Sequence, residues 1–267
     1  MTEGIFDLSS ELLRRPQHPL RAVVLAGGKG TRLAPFTSIL PKPLMPIGET
    51  TILELVLGQL RASGISEVAL CVGYLSHLIK AVIGNRAHCG VGITYVEEDT
   101  ALGTAGPLRL VPGLTSSFIA MNGDVLTTLD YNALLEHHRE HGNLLTIATR
   151  ERPIKIDYGV LHLGLNGSAS RVCAYVEKPE VTSVVSMGIY ALEPEALQYI
   201  PEGYFDVPDL VHALLEAGEP VGAYPFDGLW FDIGQRDDYE EAVAAWLASG
   251  PGSADQAQAD LRGVVSP

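Results

Sequence analysis

An α/β fold built on a mostly parallel sheet with helices on both faces is what this sequence predicts. Three observations carry that expectation. Short apolar β-type runs alternate with helical periodicity across residues 22–97. The first run, Ala22-Val23-Val24-Leu25-Ala26, opens directly into Gly27-Gly28, and in open parallel sheets ligands bind beyond the carboxyl ends of such strands. From residue 150 the rhythm changes to short strands separated by turns, marking a smaller β-rich subregion at about 150–235.

Taken in order, residues 1–20 read as a polar leader ending in Pro16 and Pro19. Ile52 to Ala62 carries apolar residues at helical spacing, with Gly64 as its stop signal. Val68 to Val72 is the next strand, Leu75 to Ile83 a helix and Gly92 to Glu97 a third strand. This β-α-β-α-β order demands crossover helices and hence a parallel sheet. Ser117 to Met121 is a buried strand ending in Asn122-Gly123-Asp124, and Asp130 can cap a helix from Tyr131 to His141. Strands follow at Leu144 to Thr149, Tyr158 to Leu163, Val172 to Val176 and Val185 to Tyr190. Helices at Glu193 to Tyr199 and Val207 to Ala217 precede strands Val221 to Phe226 and Leu229 to Ile233 and a helix Asp237 to Leu247. The main domain is thus expected over 21–248, with a tail at 249–267 that is mobile in part.

A chain of 267 residues can bury a substantial core as one large domain. Its net charge of −14 argues against nucleic acid as a partner, since no basic surface is available to displace counterions. Cys71, Cys89 and Cys173 are far apart and form no CxxC pair, so they read as buried or incidental thiols in a reducing compartment. No segment approaches the length that crosses a membrane. A soluble cytoplasmic protein is expected.

In so acidic a chain, local cations stand out. Gly27-Gly28-Lys29-Gly30-Thr31-Arg32 leads into a proline-punctuated loop that carries Lys42 between Pro41 and Pro43. Free backbone N–H groups in a glycine turn, together with Arg32 and Lys42, suit a polyphosphate. The dinucleotide fingerprint fails because Leu33 stands where its third glycine is needed, and no window has the Walker spacing. GGKGTRLAPFTSILPKPLMPI instead resembles the signature of the sugar-1-phosphate nucleotidylyltransferases: Gly-x-Gly-Thr-Arg-Leu-x-Pro-x-Thr, then Pro-Lys-Pro-Leu.

That resemblance implies a Rossmann-like fold, here without the C-terminal left-handed β-helix of some longer relatives. It implies that Leu25, Ala26, Gly27, Gly28, Gly30, Thr31 and Arg32 bind the nucleotide. Ala101-Leu102-Gly103-Thr104-Ala105-Gly106 matches the segment beside the nucleobase, and Thr104 is expected to cap the helix that follows. Gly123-Asp124 and Trp230-Phe231-Asp232-Ile233-Gly234 look like the two aspartates that hold Mg²⁺. Glu177-Lys178-Pro179 resembles the family's Glu-Lys-Pro element, with Lys178 on the sugar phosphate and Glu177 on a sugar hydroxyl. Gly159 of Tyr158-Gly159-Val160 would lie under the sugar.

Arg32, Lys42, Asp124 and Asp232 are the catalytic expectation. The reaction expected is transfer of a nucleotidyl group from a nucleoside triphosphate to a sugar-1-phosphate, by a homo-oligomer with no nucleic-acid or membrane partner. The Leu-Gly-Thr-Ala-Gly form leans to guanylyl transfer onto mannose-1-phosphate. Alternatives are thymidylyl, uridylyl or cytidylyl transfer to glucose-1-phosphate or a cyclitol phosphate, a heptose phosphate as acceptor, and, in other classes, a non-catalytic sugar-nucleotide sensor or a glycosyltransferase. Gln235 stands where relatives often have Thr. His137 and His141 share a helix face without a third ligand, and Arg150 and Arg152 read as surface cations.

Overall fold

The computed structural model describes residues 21–33, 35–84, 90–166, 169–234 and 239–244. The leader, Cys89, Gln235 and the tail lie outside the described residues. The strands are β1 (Arg21–Leu25), β2 (Pro46–Ile47), β3 (Thr50–Thr51), β4 (Glu67–Val72), β5 (Gly92–Glu97), β6 (Phe118–Asn122) and β7 (Val125–Thr127). They continue as β8 (Leu145–Lys155), β9 (Val160–Asn166), β10 (Ala169–Val176), β11 (Glu180–Leu192), β12 (Val221–Pro225) and β13 (Trp230–Asp232). The helices are α1 (Ile52–Ala62), α2 (Ser76–Ile83), α3 (Tyr131–Glu140) and α4 (Val207–Glu216). Residues 239–244 are helical, within the span expected for the last helix.

A seven-stranded sheet in the order β12-β8-β11-β6-β1-β4-β5 organises the molecule. β1, β4, β5 and β6 are mutually parallel, as are β8 and β12, and β11 runs against both its neighbours. The mostly parallel expectation therefore holds. Alternate residues of each central strand enter opposite cores. Ala22, Val24, Ile119 and Met121 pack with α1, α2 and α3 on one face. Val23, Phe118 and Ala120 pack with α4 and the turns at Gly106–Leu110 and Pro194–Tyr199 on the other. Apolar burial on both faces, at about 25 cal/mol per Å², is what holds the layers together.

Local signals explain the helix boundaries. Thr51 caps α1 in a capping box: its hydroxyl accepts from Glu54 N at 3.2 Å and Glu54 Oε2 accepts from Thr51 N at 2.9 Å. Gly64, at φ +81°, follows that helix as expected. Asp130 caps α3 through Asn132 N at 2.9 Å and Ala133 N at 3.3 Å.

Two of the expected elements need correction, and a third is placed by the structure. Pro194–Tyr199 is a 3-10 turn, not an α-helix, because Pro194 lies at its start and only six residues intervene before Ile200 turns extended. β8 and β11 run far beyond the short strands expected, pairing Thr149↔Ser186 out to Lys155↔Glu180. Their outer halves alternate partly exposed and exposed positions and carry no apolar run to signal them. β13 is not in the main sheet; it pairs with β7 antiparallel, Asp232 opposite Val125.

Candidate active site

The carboxyl edge of β1, β4, β5 and β6 is tied together by backbone hydrogen bonds. Gly123 N donates to Leu25 O at 2.9 Å, Ala26 N to Cys71 O at 2.8 Å, Tyr74 N to Gly27 O at 3.2 Å and Glu98 N to Val72 O at 3.1 Å. Above this edge opens a cleft of about 670 Å³, lined in part by Leu25, Ala26, Gly27, Gly28, Gly30, Thr31, Lys42, Gly103, Thr104 and Asp124. That volume suits a nucleotide-sized ligand. Ten of the sequence-predicted site residues thus meet in one cavity.

Within the loop, two glycines play different parts. Gly30 has φ +61°, and its carbonyl accepts from the Thr37 hydroxyl at 2.8 Å and from Leu33 N at 3.0 Å. The protein's own turn requires glycine there. A Cβ on Gly28, by contrast, would meet no protein atom within 4 Å. The space it would fill is open to the cleft, as a cradle for a ligand's phosphates would be. Arg32 contributes its backbone to the 3-10 turn Thr31–Leu33, and its side chain lies outside the described residues.

Lys42 opens a further 3-10 turn, Lys42–Leu44, with Pro41 before it and Pro43 within it. Met45 N returns to Lys42 O at 3.0 Å, so the backbone that carries this side chain is held firmly. The ammonium pairs with Asp124 Oδ2 and stands 3.9 Å from Asp232 Oδ1. The β7–β13 ribbon brings the two aspartates together: Ile233 N donates to Asp124 O at 3.1 Å, and Gly234 N donates to Asp232 Oδ1 at 2.9 Å. Asp124 Oδ1 is buried without a hydrogen-bond partner among the described atoms. An orphaned carboxylate oxygen beside a second carboxylate fits a hard cation such as Mg²⁺, which takes one or two carboxylates and completes its shell with water and substrate phosphate. Among the described residues no group of three or more His, Cys, Asp or Glu could hold a metal ion.

On the β5 side of the cleft, Gly103 is left-handed at φ +80°, and a Cβ there would come 2.5 Å from Phe205 O. Ala105 N and Gly106 N both donate to Phe205 O, at 2.9 and 3.0 Å, and Phe205 N donates to Leu102 O at 2.9 Å. Thr104 does not cap the turn that follows it. Its hydroxyl donates to Asp206 Oδ1 at 3.0 Å and accepts from Val207 N at 2.9 Å, so it supplements the Asp206–Asp209 capping box at the start of α4, which lies more than a hundred residues away in sequence. The turn at Gly106–Leu110 starts with Gly-Pro, so it offers little for a cap to satisfy.

Among the cleft residues that escaped sequence reasoning are Glu98, Tyr204 and Asp206. Glu98 directly follows β5, and the strand-end rule that singled out Asp124 could have found it. Its Oε2 accepts from Leu102 N at 3.0 Å, and burial raises its carboxyl pKa against the lowering effect of that N–H. Tyr204, whose hydroxyl donates to Asp206 Oδ2 at 2.8 Å, carries no local signal, and the only local signal at Asp206 is the cap position it fills at the start of α4. Only the long-range pairing with residues 102–106 puts them in the wall.

Gly159, Glu177 and Lys178 are not part of that wall. They lie on an arm, formed by the outer halves of β8 and β11 with the β9–β10 hairpin, that extends past the same carboxyl edge. The Tyr175 hydroxyl donates to Glu177 Oε2, and a Cβ on Gly159 would collide with the Tyr175 ring, so Gly159, Tyr175 and Glu177 form one cluster. Lys178 is left-handed at φ +44°, an uncommon conformation for a residue with a side chain. Arg150 and Arg152 are not free surface cations: Arg150 donates to Gly228 O, and Arg152 lies 5.5 Å from the Trp230 ring. His137 and His141 stack at 4.0 Å, with the His141 Nδ1 2.8 Å from His137 O, an arrangement internal to the helix end. Cys71 is buried, and burial with the nearby Glu98 charge pushes its thiol up to about 12; Cys173 is exposed.

The family described as Nucleotidyl transferase matches residues 21–249, spanning the cleft, the ribbon and the arm together. The chain belongs to that family. The uridylyltransferase of Synechocystis named for UTP and glucose-1-phosphate is 34% identical, over 86% of this chain and 64% of its own length. The mannose-1-phosphate guanyltransferase of Schizosaccharomyces pombe is 31% identical, over 86% of this chain and 65% of its own. The chain therefore spans a little under two thirds of these curated relatives. Among solved structures, HddC from Yersinia pseudotuberculosis complexed with GMP-PN is 25% identical with a TM-score of 0.64, covering 84% of this chain and 98% of that one. The Rossmann-like α/β architecture expected of a nucleotidyl transferase is thus the one observed. No helix among the described residues is long and apolar enough to cross a membrane.

Proposed function

We propose that the protein transfers a nucleotidyl group from a nucleoside triphosphate to a sugar-1-phosphate, releasing pyrophosphate and forming an NDP-sugar. The observation that carries this reading is the meeting of Lys42, Asp124 and Asp232 beside the open Gly28 loop. A phosphate oxygen of the sugar-1-phosphate forms the new bond to the α-phosphorus. The bond from that phosphorus to the α–β bridging oxygen breaks, and its electron pair leaves with pyrophosphate. The attacking oxygen is already ionised, so no general base is needed. The barrier is repulsion between two polyanions and their orientation, which positioned cations and N–H groups lower.

The Gly27–Thr31 backbone would cradle the triphosphate, Arg32 would face the departing β- and γ-phosphates, and Lys42 would steady the α-phosphate and the attacking group. Asp124 and Asp232 would hold Mg²⁺, which when bound neutralises charge on the reacting phosphates. The arm, about 150–235 with Gly159, Glu177 and Lys178, would supply the sugar half, Lys178 facing the sugar phosphate and Glu177 a hydroxyl.

For the base, Glu98 favours guanine. A carboxylate accepts from donors, and guanine offers N1–H beside a 2-amino group, whereas uracil and thymine offer one N–H between two carbonyl oxygens. The acceptor we favour is mannose-1-phosphate, in keeping with the guanylyl leaning of Leu102-Gly103-Thr104-Ala105-Gly106. Uridylyl transfer to glucose-1-phosphate is the second reading, favoured by the Synechocystis relative. A panel of nucleoside triphosphates crossed with sugar-1-phosphates, read by pyrophosphate release, tests both. Highest kcat/KM with GTP is expected, falling about tenfold or more in Glu98→Gln. No pyrophosphate from any pair, or free NDP released from an NDP-sugar donor, would defeat the proposal.

A further inference from the structure

We infer that the Lys42 ammonium is the place-holder of the cation position, so that divalent cation and phosphate bind as a coupled pair. The inference rests on reading Asp124 and Asp232 as cation ligands. In this conformation the ammonium pairs with Asp124 Oδ2 and stands 3.9 Å from Asp232 Oδ1. It thereby neutralises the same two carboxylates a divalent ion would use. Lys42 is only 9% exposed, so its charge needs a partner wherever it points. Asp124 Oδ1, buried and unpartnered, shows that the ammonium satisfies only part of what the carboxylate offers.

A divalent ion at bonding distance from both carboxylates, about 2.1 Å for Mg²⁺, would lie against the ammonium. Two cations cannot share that volume, so the Lys42 side chain must turn aside. Its backbone does not follow, since Pro41, Pro43 and the Met45 N–H hold the turn. Only side-chain torsions remain, and the cleft that Lys42 also lines is where they lead. Without a phosphate there, the displaced ammonium gives up the carboxylate that paired it. With a phosphate in the Gly28 cradle it exchanges one anion for another. Cation binding therefore strengthens phosphate binding, and by linkage phosphate strengthens cation binding by the same factor. The free protein holds divalent cation weakly because its own lysine competes for the carboxylates.

Mn²⁺ titration of the full chain without nucleotide, read by the electron paramagnetic resonance of unbound Mn²⁺, tests this. Lys42→Met should bind Mn²⁺ at least tenfold more tightly than the wild type. Lys42→Gln should behave likewise, covering the case in which one variant fails to fold, as judged by its thermal transition. Lys42→Arg, which keeps the charge, should not tighten. Adding Asp124→Asn to Lys42→Met should remove the gain. Equal or weaker binding in the neutral variants, no binding in either, or a gain that survives Asp124→Asn overturns the inference. Pyrophosphate release by the wild type reports separately on the transferase reading. An active wild type whose Lys42→Met shows no tightening sinks only the place-holder. Tightening in a protein that releases no pyrophosphate sinks only the transferase.

Discussion

Asp124 and Asp232 share a proposed task but not an environment, and the difference decides which substitution is the cleaner probe. The Asp124 side chain is 17% exposed and paired with Lys42, whereas that of Asp232 is 31% exposed and only near it. Asp232→Asn is expected to lower kcat by about 10²–10³-fold with the thermal midpoint nearly unchanged. Asp124→Asn should lower kcat as much but also the midpoint, because it strands a buried ammonium. Wild-type pyrophosphate release from folded Asp232→Asn would remove that residue from the site. The glycines give a second contrast. Gly28→Ala meets no protein atom, so it should raise the KM for the triphosphate while leaving the midpoint alone. Gly30→Ala forces a side chain to φ +61° with its Cβ 3.0 Å from Lys42 Cβ, and should cost about 1–2 kcal/mol in denaturant unfolding. That Lys42 and both aspartates converge was legible in the sequence only through their resemblance to a known pattern, since three separated polar residues predict no contact by themselves.

At the scale of elements, the parallel core was legible because strand and helix each leave a periodic trace. Ile52 to Ala62 and Val68 to Val72 announce themselves through apolar spacing, and Asp130 through its capping position. The outer halves of β8 and β11 leave none, because a ribbon exposed on its faces needs no apolar alternation. Thr104 shows the same limit for a cap. The rule that Thr satisfies helix N–H groups was right in chemistry and wrong in address: the helix served is α4, across the cleft wall. Thr104→Val removes the oxygen that accepts from Val207 N and one donor to Asp206. It should cost about 1 kcal/mol in denaturant unfolding and raise the KM for the triphosphate. An unaffected KM with lowered stability would confine Thr104 to the scaffold.

Across the whole molecule, the site occupies one edge of the sheet and a buried polar cluster lies near the other. His138 on α3 is fully buried, its Nδ1 2.8 Å from Thr146 Oγ1 and its Nε2 3.3 Å from Glu193 Oε1. Ser117 donates to the same Glu193 oxygen at 2.6 Å and accepts from Arg139 Nε at 3.2 Å. Burial lowers the His138 pKa below its ordinary 6.5; Glu193 opposes that shift, and Arg139 and His137 add to it. With the folded value depressed, this group's contribution to stability is complete above the ordinary value and is lost as pH falls through the folded one. Stability should therefore drop on the acid side of pH 6.5, and His138→Gln should flatten that slope in urea unfolding followed against pH. An equal slope in the variant would assign the acid sensitivity elsewhere.

Composition, periodicity and the Ala22–Pro46 loop determined the fold class, the edge at which the cleft opens and the glycine-and-cation character of the loop. Each of those is written in neighbouring residues: alternating burial, a glycine turn after a strand, two cations in an acidic chain. Tertiary structure alone decided that β13 leaves the main sheet to pair with β7, and this pairing sets Asp232 beside Asp124 with Lys42 against both carboxylates. It also closed the β5 side of the cleft with Tyr204 and Asp206, through the pairing of Phe205 with residues 102–106, and set Glu98 at the wall. Such contacts join residues far apart in the chain. Local sequence constrains only local torsions and periodic burial, so what faces what across the cleft is settled by how the layers pack.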